Sequence, residues 1–219
     1  MLFLKYPPIT YNLGFLQAPF ERVVKAASQW LEPQGSAPPE LFTASFDDAL
    51  GRLFPLTHWR KLFIECGFGW TAVFKDVDAV PEGPVGHLSQ LLKCHGVIGT
   101  YYPEMGEFGS RHLGAVQLRY FKEHETFFLN HGRSISLTNG DDGWHFEQDQ
   151  SPLPFERLDC YRNPRIKDRF TPAMLVEYLG HLGIDAVDPS KYGPRCAFFD
   201  VPPDVLRRHH EAGISIYRE

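Results

Sequence analysis

Five neighbouring stretches in the C-terminal half decide the fold: RSISL at 133–137, NGDDG at 139–143, WHFEQD at 144–149, PLPFE at 152–156 and TPAMLVEYLGHLGI at 171–184. The first and third are rich in branched and aromatic residues, as strands are, and the Asn and Gly residues between them accept the positive φ of a turn. Thr171 before Pro172 is typical of a helix start, and Gly183 of a helix end. This region therefore predicts a β-hairpin followed by a helix.

Upstream of this region, hydrophobic spacing and turn residues predict further elements. Apolar residues at helical spacing follow Pro19, and a similar pattern follows Pro84, with Val85, Leu88, Leu91 and Leu92 on one face. We predict a strand at 11–16, a helix at 18–31, a short helix capped by Ser45 or Asp47, a hairpin of 61–66 with 70–74, a helix at 84–94, strands at 95–102 and 111–122, and a glycine-rich loop at 103–110.

The pattern of these elements indicates an α+β fold. Several connections between strands are too short for a crossover helix, so a mainly antiparallel sheet with about three to four helices fits best. The length favours a single globular domain over 1–219. Within this domain, the alternative is two similar α/β lobes, at 1–83 and 84–200, followed by a C-terminal tail at 201–219.

Composition narrows the classes of function. The chain has 219 residues, of which 43% are hydrophobic and 14% aromatic, so it can bury a sizeable core. The formal net charge of -5 argues against a nucleic-acid partner, since binding phosphates normally requires a basic excess. The first residues lack the apolar run of a signal peptide, and no stretch is long enough to span a bilayer. We expect a cytoplasmic protein that binds neither nucleic acid nor membranes.

Neither metal nor cofactor chemistry is indicated. The four cysteines lie far apart in the chain, so we expect free thiols, most of them buried. No HExxH or CxxC motif and no close cluster of histidine and cysteine is present. Gly67-Phe68-Gly69 matches part of a dinucleotide-binding fingerprint, but the residues after it favour a strand where that motif needs a helix. We predict a hairpin turn there, with no catalytic residue, no metal and no cofactor.

The sign of the charge changes along the C-terminal half. Between 139 and 159 six acids stand against Arg157 alone, whereas 161–169 carries four bases and one acid. These stretches either pair with each other or are solvated. Alternatively the first forms an acidic recognition face that steers a basic partner, while aromatic side chains supply contact area. The predicted partner-binding residues of that face are Asp141, Asp142, Trp144, Glu147 and Asp149.

The chain also resembles a known family. The segments LNHGRSISLTNGDDGWHFEQDQSPLPFE and YRNPRIKDRFTPAMLVEYLGHLGI, with GWTAVFKD and APFERVV before them, are similar to a family of uncharacterised bacterial proteins. Members of that family share a pattern of RSI, NDGG, W.F, PLPFE and RDRFT blocks. The resemblance runs from about Ala18 to Tyr192 and implies no catalytic residue. The strand-helix pattern also looks like that of immunity proteins, which neutralise polymorphic or secreted bacterial toxins.

Three functions follow as hypotheses. The first is an immunity (antitoxin) protein that binds and blocks a cognate toxin with a basic surface. The second is an enzyme acting on a small molecule or a nucleotide, because arginine presents a fork that suits phosphate or carboxylate. This enzyme would use Arg133, Arg165 or Arg169 as anion clamps and His131 or His145 as general base. The third hypothesis is a structural module with a large apolar patch.

Overall fold

The computed structural model describes residues 2–56, 60–76, 81–108, 111–122, 132–140 and 142–200. Its centre is one sheet of nine strands, and every pairing in it is antiparallel. The order across the sheet is β2-β9-β3-β4-β1-β5-β6-β7-β8. The strands are β1 (Asn12–Leu16), β2 (Glu40–Thr43), β3 (Arg60–Cys66), β4 (Thr71–Lys75), β5 (Gly96–Phe108), β6 (Arg111–Phe121), β7 (Arg133–Gly140), β8 (Gly143–Asp149) and β9 (Tyr192–Asp200).

Four α-helices accompany the sheet within the described ranges: α1 (Phe20–Leu31), α2 (Phe46–Gly51), α3 (Glu82–Leu92) and α4 (Pro172–His181). The hydroxyl of Ser45 caps α2 by accepting from the Asp48 N–H at 3.2 Å. Thr171 caps α4 by accepting from the Met174 N–H at 3.3 Å, and Pro172 occupies the first turn, where its missing N–H costs nothing. The predicted α+β class with a mainly antiparallel sheet is confirmed.

The helices lie on both faces of the sheet and close two hydrophobic cores. Because side chains alternate between faces along a strand, Leu16 and Phe63 pack with α1 and α3, whereas their neighbours Phe15 and Leu62 pack with α2 and α4. We call these the α1–α3 face and the α2–α4 face. Neighbouring strands keep the same assignment, since directly paired residues point to the same side.

Most local predictions are confirmed, and two are corrected. The glycine-rich segment at 103–110 was expected to be a loop, but β5 continues through it to Phe108 with two irregularities in its register. In α3, Val85 and Leu88 are fully buried, whereas Leu91 is 51% exposed and does not belong to the apolar face. Gly67 to Gly69 forms the turn of the β3–β4 hairpin, as expected.

Strands β2 and β9 were not predicted. They pair with each other, and β9 also pairs with β3, so the C-terminal strand returns to the strands of the first 83 residues. On the other side, β1 pairs with both β4 and β5, which makes the sheet continuous across position 83. The tail at 201–219 lies outside the described residues.

The cysteines agree with the expectation of free thiols, most of them buried. All four cysteines are free, and three of them are buried, while Cys160 is half-buried. Burial raises the pKa of the Cys196 thiol to about 11, which makes it a poor nucleophile at neutral pH. Among the described residues, no helix combines the length and the apolar character needed to cross a membrane.

Candidate functional site

A row of polar side chains lies on the α1–α3 face of the sheet and crosses β1, β5, β6, β7 and β8. The register pairs Asn12 with Thr100, Thr100 with Gln117, Gln117 with Ser136, and Ser136 with Glu147. The Thr100 hydroxyl donates to Asn12 Oδ1 at 2.8 Å, and Gln117 Nε2 donates to the Ser136 hydroxyl at 3.0 Å. Asn12 and Thr100 are almost completely buried, whereas Glu147 is exposed. The row therefore runs from the interior to the edge of the sheet.

The predicted acidic residues lie at that edge, in the β7–β8 hairpin. Strand β8 lies at the edge of the described sheet, next to β7. Its Glu147 and Asp149 pair with Ser136 and Ser134 of β7. These four side chains point to the α1–α3 side, and we call them the hairpin face. Asp142 lies in the turn, where its carboxylate is 2.6 Å from His145 Nε2, and this contact lowers its pKa. Asp141 lies outside the described residues.

Trp144 lies on the other side of the hairpin. Since it alternates with His145 along β8, its ring points to the α2–α4 face, where it packs half-buried against the core. The Lys167 amine lies over the ring, 5.5 Å from its centroid, and also contacts Glu104 at 2.5 Å. Next to it, Phe146 packs on Tyr161 with ring centroids 5.1 Å apart. The structure thus brings Glu147 and Asp149 together and separates them from Trp144.

Arg133, the first residue of β7, is the centre of a buried network on the α2–α4 face. Its Nε donates to Glu156 Oε1 at 2.8 Å, and one terminal nitrogen donates to Glu156 Oε2 and Gln148 Oε1, both at 2.6 Å. The other terminal nitrogen donates to the carbonyl oxygens of Asp149 and Gln150, at 3.0 and 2.8 Å. A guanidinium has five N–H donors, and all are used here. Arg133 is therefore not available to clamp a substrate.

Glu156 completes this network from the opposite direction. Its carboxylate also accepts from the Leu153 N–H at 2.8 Å and from the Tyr161 hydroxyl at 3.0 Å. The Tyr161 hydroxyl is 3.1 Å from that of Tyr178, which accepts from the Arg157 N–H. Burial, the bond to Tyr178 and the charge of Glu156 raise the pKa of Tyr161, so it stays a neutral donor. The network ties the PLPFE segment to the hairpin and to α4.

The other described residues of the predicted enzyme pocket lie apart from one another. Arg165 has a side chain that is 72% exposed and lies 3.9 Å from Asp168, and His145 pairs with Asp142. Arg169 donates to the Asn163 carbonyl at 2.9 Å and lines a groove of about 690 Å³. His131 lies outside the described residues. The groove is also lined by Ser134, Ser136, Phe146, Glu147, Gln148, Asp149 and Tyr161.

A second polar feature, absent from the predictions, lies at the other end of the same face. Lys61 of β3 and Lys75 of β4 are directly paired and therefore point to the same side. Lys61 also pairs with Phe199 and lies two residues from Phe63, both members of the α1–α3 core. Its exposed fraction is only 7%, and Lys75 is half-buried. We call these two residues the lysine pair.

The lysine pair lacks a close counter-charge within the described part of the chain. No carboxylate there lies within ion-pair distance of either amine, although the charge of buried Asp76 favours both ammonium forms. Burial first, and the charge of Lys75 second, lower the pKa of Lys61 to about 8. Burial also lowers the pKa of Lys75. Both lysines are thus cations whose charged form is disfavoured by their surroundings.

Comparisons of the chain with protein-family models, with curated proteins and with solved structures find no match. No group of three or more histidine, cysteine, aspartate or glutamate side chains suited to a metal ion occurs in the described ranges. The resemblance to an uncharacterised bacterial family and to immunity proteins accordingly stays a prediction.

The sequence carried a weak signal for what was missed. Asn12 and Thr100 are polar residues within otherwise apolar strands, and Lys61 begins a strand of apolar residues. Each residue alone resembles an ordinary strand end. Only the register shows that Asn12 and Thr100 meet, and that two lysines face each other.

Proposed function

We propose that the protein is an immunity (antitoxin) protein that binds a basic toxin domain through the hairpin face. The observation that supports this proposal is the outward position of Glu147 and Asp149, two residues apart on the exposed side of the last strand. Carboxylates in this arrangement attract a basic partner and speed its association. No catalytic group is required for such a protein to occlude an active site.

The support behind the hairpin also favours binding. Trp144 and Phe146 pack into the core from one side, and Arg133 holds the end of β8 by its bonds to Gln148 and Asp149. A strand fixed on one face presents its other face with little loss of conformational entropy on association, which improves affinity. The acidic residues are therefore preorganised.

Three of the four basic residues at 161–169 have contacts away from Glu147 and Asp149 in the described structure. Lys167 contacts Glu104, Arg165 lies near Asp168, and the Arg169 side chain donates to a backbone carbonyl. Arg169 does border the groove that Glu147 and Asp149 also line, so it would sit at the rim of the interface. Because these three side chains bond elsewhere, we expect the negative charge of Glu147 and Asp149 to be available to a partner.

The experiment is a quantitative co-purification from the native cell with a charge-reversal variant, Glu147→Lys with Asp149→Lys. Its control, Glu32→Lys with Asp185→Lys, changes net charge equally at two exposed positions away from the hairpin. We expect a stoichiometric basic protein with the wild type and with the control, and its loss from the hairpin variant. The purified partner should associate about tenfold more slowly with the hairpin variant at low salt.

Function is then tested by expressing the captured partner in cells. We expect the partner to arrest growth when it is expressed alone, and the wild-type protein to relieve this arrest when the two are expressed together. Equal recovery of the partner by wild type and hairpin variant would remove the hairpin face from the interface. A partner that does not impair growth would contradict the immunity function itself.

A further inference from the structure

The lysine pair is an unusual place for two positive charges. Like charges placed directly opposite each other in a sheet are destabilising, and burial of an ammonium ion adds a further cost. Lys61 and Lys75 show both conditions at once, next to Phe63 and Phe199. An arrangement that costs stability in the unliganded protein indicates a site where a ligand supplies the missing charge.

We propose that Lys61 and Lys75 bind the phosphate group of a small phosphorylated molecule. The two amines stand on neighbouring strands, with side chains on one face and without a carboxylate at ion-pair distance in the described residues. Lysine binds phosphate as a point charge with three N–H donors, so two such groups offer several donors to the oxygens of one phosphate.

A bonded polar side chain lies on the neighbouring strand, on the same face as the lysine pair. Asn12 begins the strand next to β4, and its side chain is held in place by Thr100 and by the Tyr102 hydroxyl, to which Asn12 Nδ2 donates at 2.8 Å. Asn12 and Thr100 are buried, and strand alternation places them on the same face of the sheet as the two lysines. The buried carboxylate of Asp76 follows Lys75 in the chain and limits the excess positive charge.

This site is independent of the proposed toxin interface. The lysine pair lies on β3 and β4, while the hairpin face lies on β7 and β8, with β1, β5 and β6 between them. Loss of one function therefore does not imply loss of the other. A protein that binds its partner normally and does not bind phosphate would contradict this inference alone.

The test is isothermal titration calorimetry of the full chain with inorganic phosphate at pH 7, at constant ionic strength, with acetate as a second ligand. The variants are Lys61→Met and Lys75→Met, which keep an unbranched side chain, one atom shorter than that of lysine, and remove its charge. The control is Lys25→Met, which removes an exposed lysine from α1. Both site variants should bind phosphate at least about tenfold more weakly, and the control should match the wild type.

Three results would overturn the inference. If the wild-type protein shows no saturable binding of phosphate, the lysine pair does not bind this class of ligand. Equal affinity in Lys61→Met and wild type places any phosphate elsewhere. Acetate binding as tight as phosphate shows that the site takes a monoanion and contradicts the assignment to phosphate. Circular dichroism of each variant confirms that it is folded before the titration.

Discussion

Arg133 and Lys61 are both buried cations at strand starts, yet they differ in every contact that matters. Arg133 is 1% exposed and uses all its donors on Glu156, Gln148 and two carbonyl groups. Lys61 is 7% exposed and faces another lysine. Burial of a charged side chain therefore does not by itself indicate its role. Arg133 has the carboxylate of Glu156 against it, whereas no carboxylate of the described residues lies at ion-pair distance from Lys61.

The largest expected effect comes from breaking the satisfied network. Arg133→Met leaves the carboxylate of Glu156, which is 0% exposed, without its cation. We expect a loss of about 3–5 kcal/mol in the free energy of unfolding, measured by urea denaturation. The control Arg165→Met removes an arginine whose side chain is 72% exposed, and it should change stability by less than about 0.5 kcal/mol. Similar losses in the two variants would contradict the structural role of Arg133.

Removing a lysine of the lysine pair should raise the free energy of unfolding, whereas removing Arg133 should lower it. A lysine with a pKa near 8 in the folded protein and 10.5 when unfolded destabilises the folded state while it is protonated. Lys61→Met should therefore stabilise the protein at pH 7, by on the order of 3 kcal/mol in phosphate-free buffer. The gain should be complete below pH 8 and shrink as the pH rises towards 10.5. Urea denaturation at pH 7, 9 and 10 measures it, and a loss of stability at pH 7 contradicts the interpretation.

A smaller effect tests how the network of Arg133 is completed. Tyr161→Phe removes a donor to Glu156 and a hydrogen bond to Tyr178 without changing the ring. We expect a loss of about 1–2 kcal/mol in the free energy of unfolding. Tyr101→Phe, in the half-buried part of β5, is the matched change and should cost less than about 0.5 kcal/mol. Equal costs would show that the Tyr161 hydroxyl does not support Glu156.

The smallest effect measures the coupling between the two lysines. If each ammonium raises the cost of the other, the double variant Lys61→Met with Lys75→Met gains less than the sum of the single gains. We expect a coupling of about 0.5–1 kcal/mol at low salt, decreasing as salt screens it. A double-mutant cycle by denaturation gives this number. Additive gains would mean that the lysines do not sense each other.

Much of the fold could be predicted because its signals are local. The hairpin of β7 and β8 and the helices α1 and α4 follow from periodicity and capping residues within one stretch of chain. The extension of β5 was missed because Pro103, Gly106 and the acids around them indicate a loop, whereas pairing with β6 overrides that preference. Strand β9 was missed because its partners β2 and β3 are far away in sequence.

The site was harder to predict than the fold. Arg133 attracted a functional hypothesis because its partner Glu156 lies 23 residues away, beyond the reach of a local pattern. Trp144 was grouped with the acids because they are close in sequence, although strand alternation places it on the other face. The lysine pair depends on the register of two strands, and a shift by one residue would separate the two side chains. Function here depends on pairing, which composition and motifs do not record.

The most direct test of the central comparison is a pH titration of Lys61 by ¹³C NMR of its Cε in phosphate-free buffer, assigned with Lys61→Met. Burial and the neighbouring charge of Lys75 disfavour the ammonium form of Lys61 and predict a midpoint near pH 8. Phosphate should move this midpoint upward. A midpoint above about pH 10, the range of an ordinary lysine, would show that the amine is solvated or already paired, and would contradict the distinction drawn between Lys61 and Arg133.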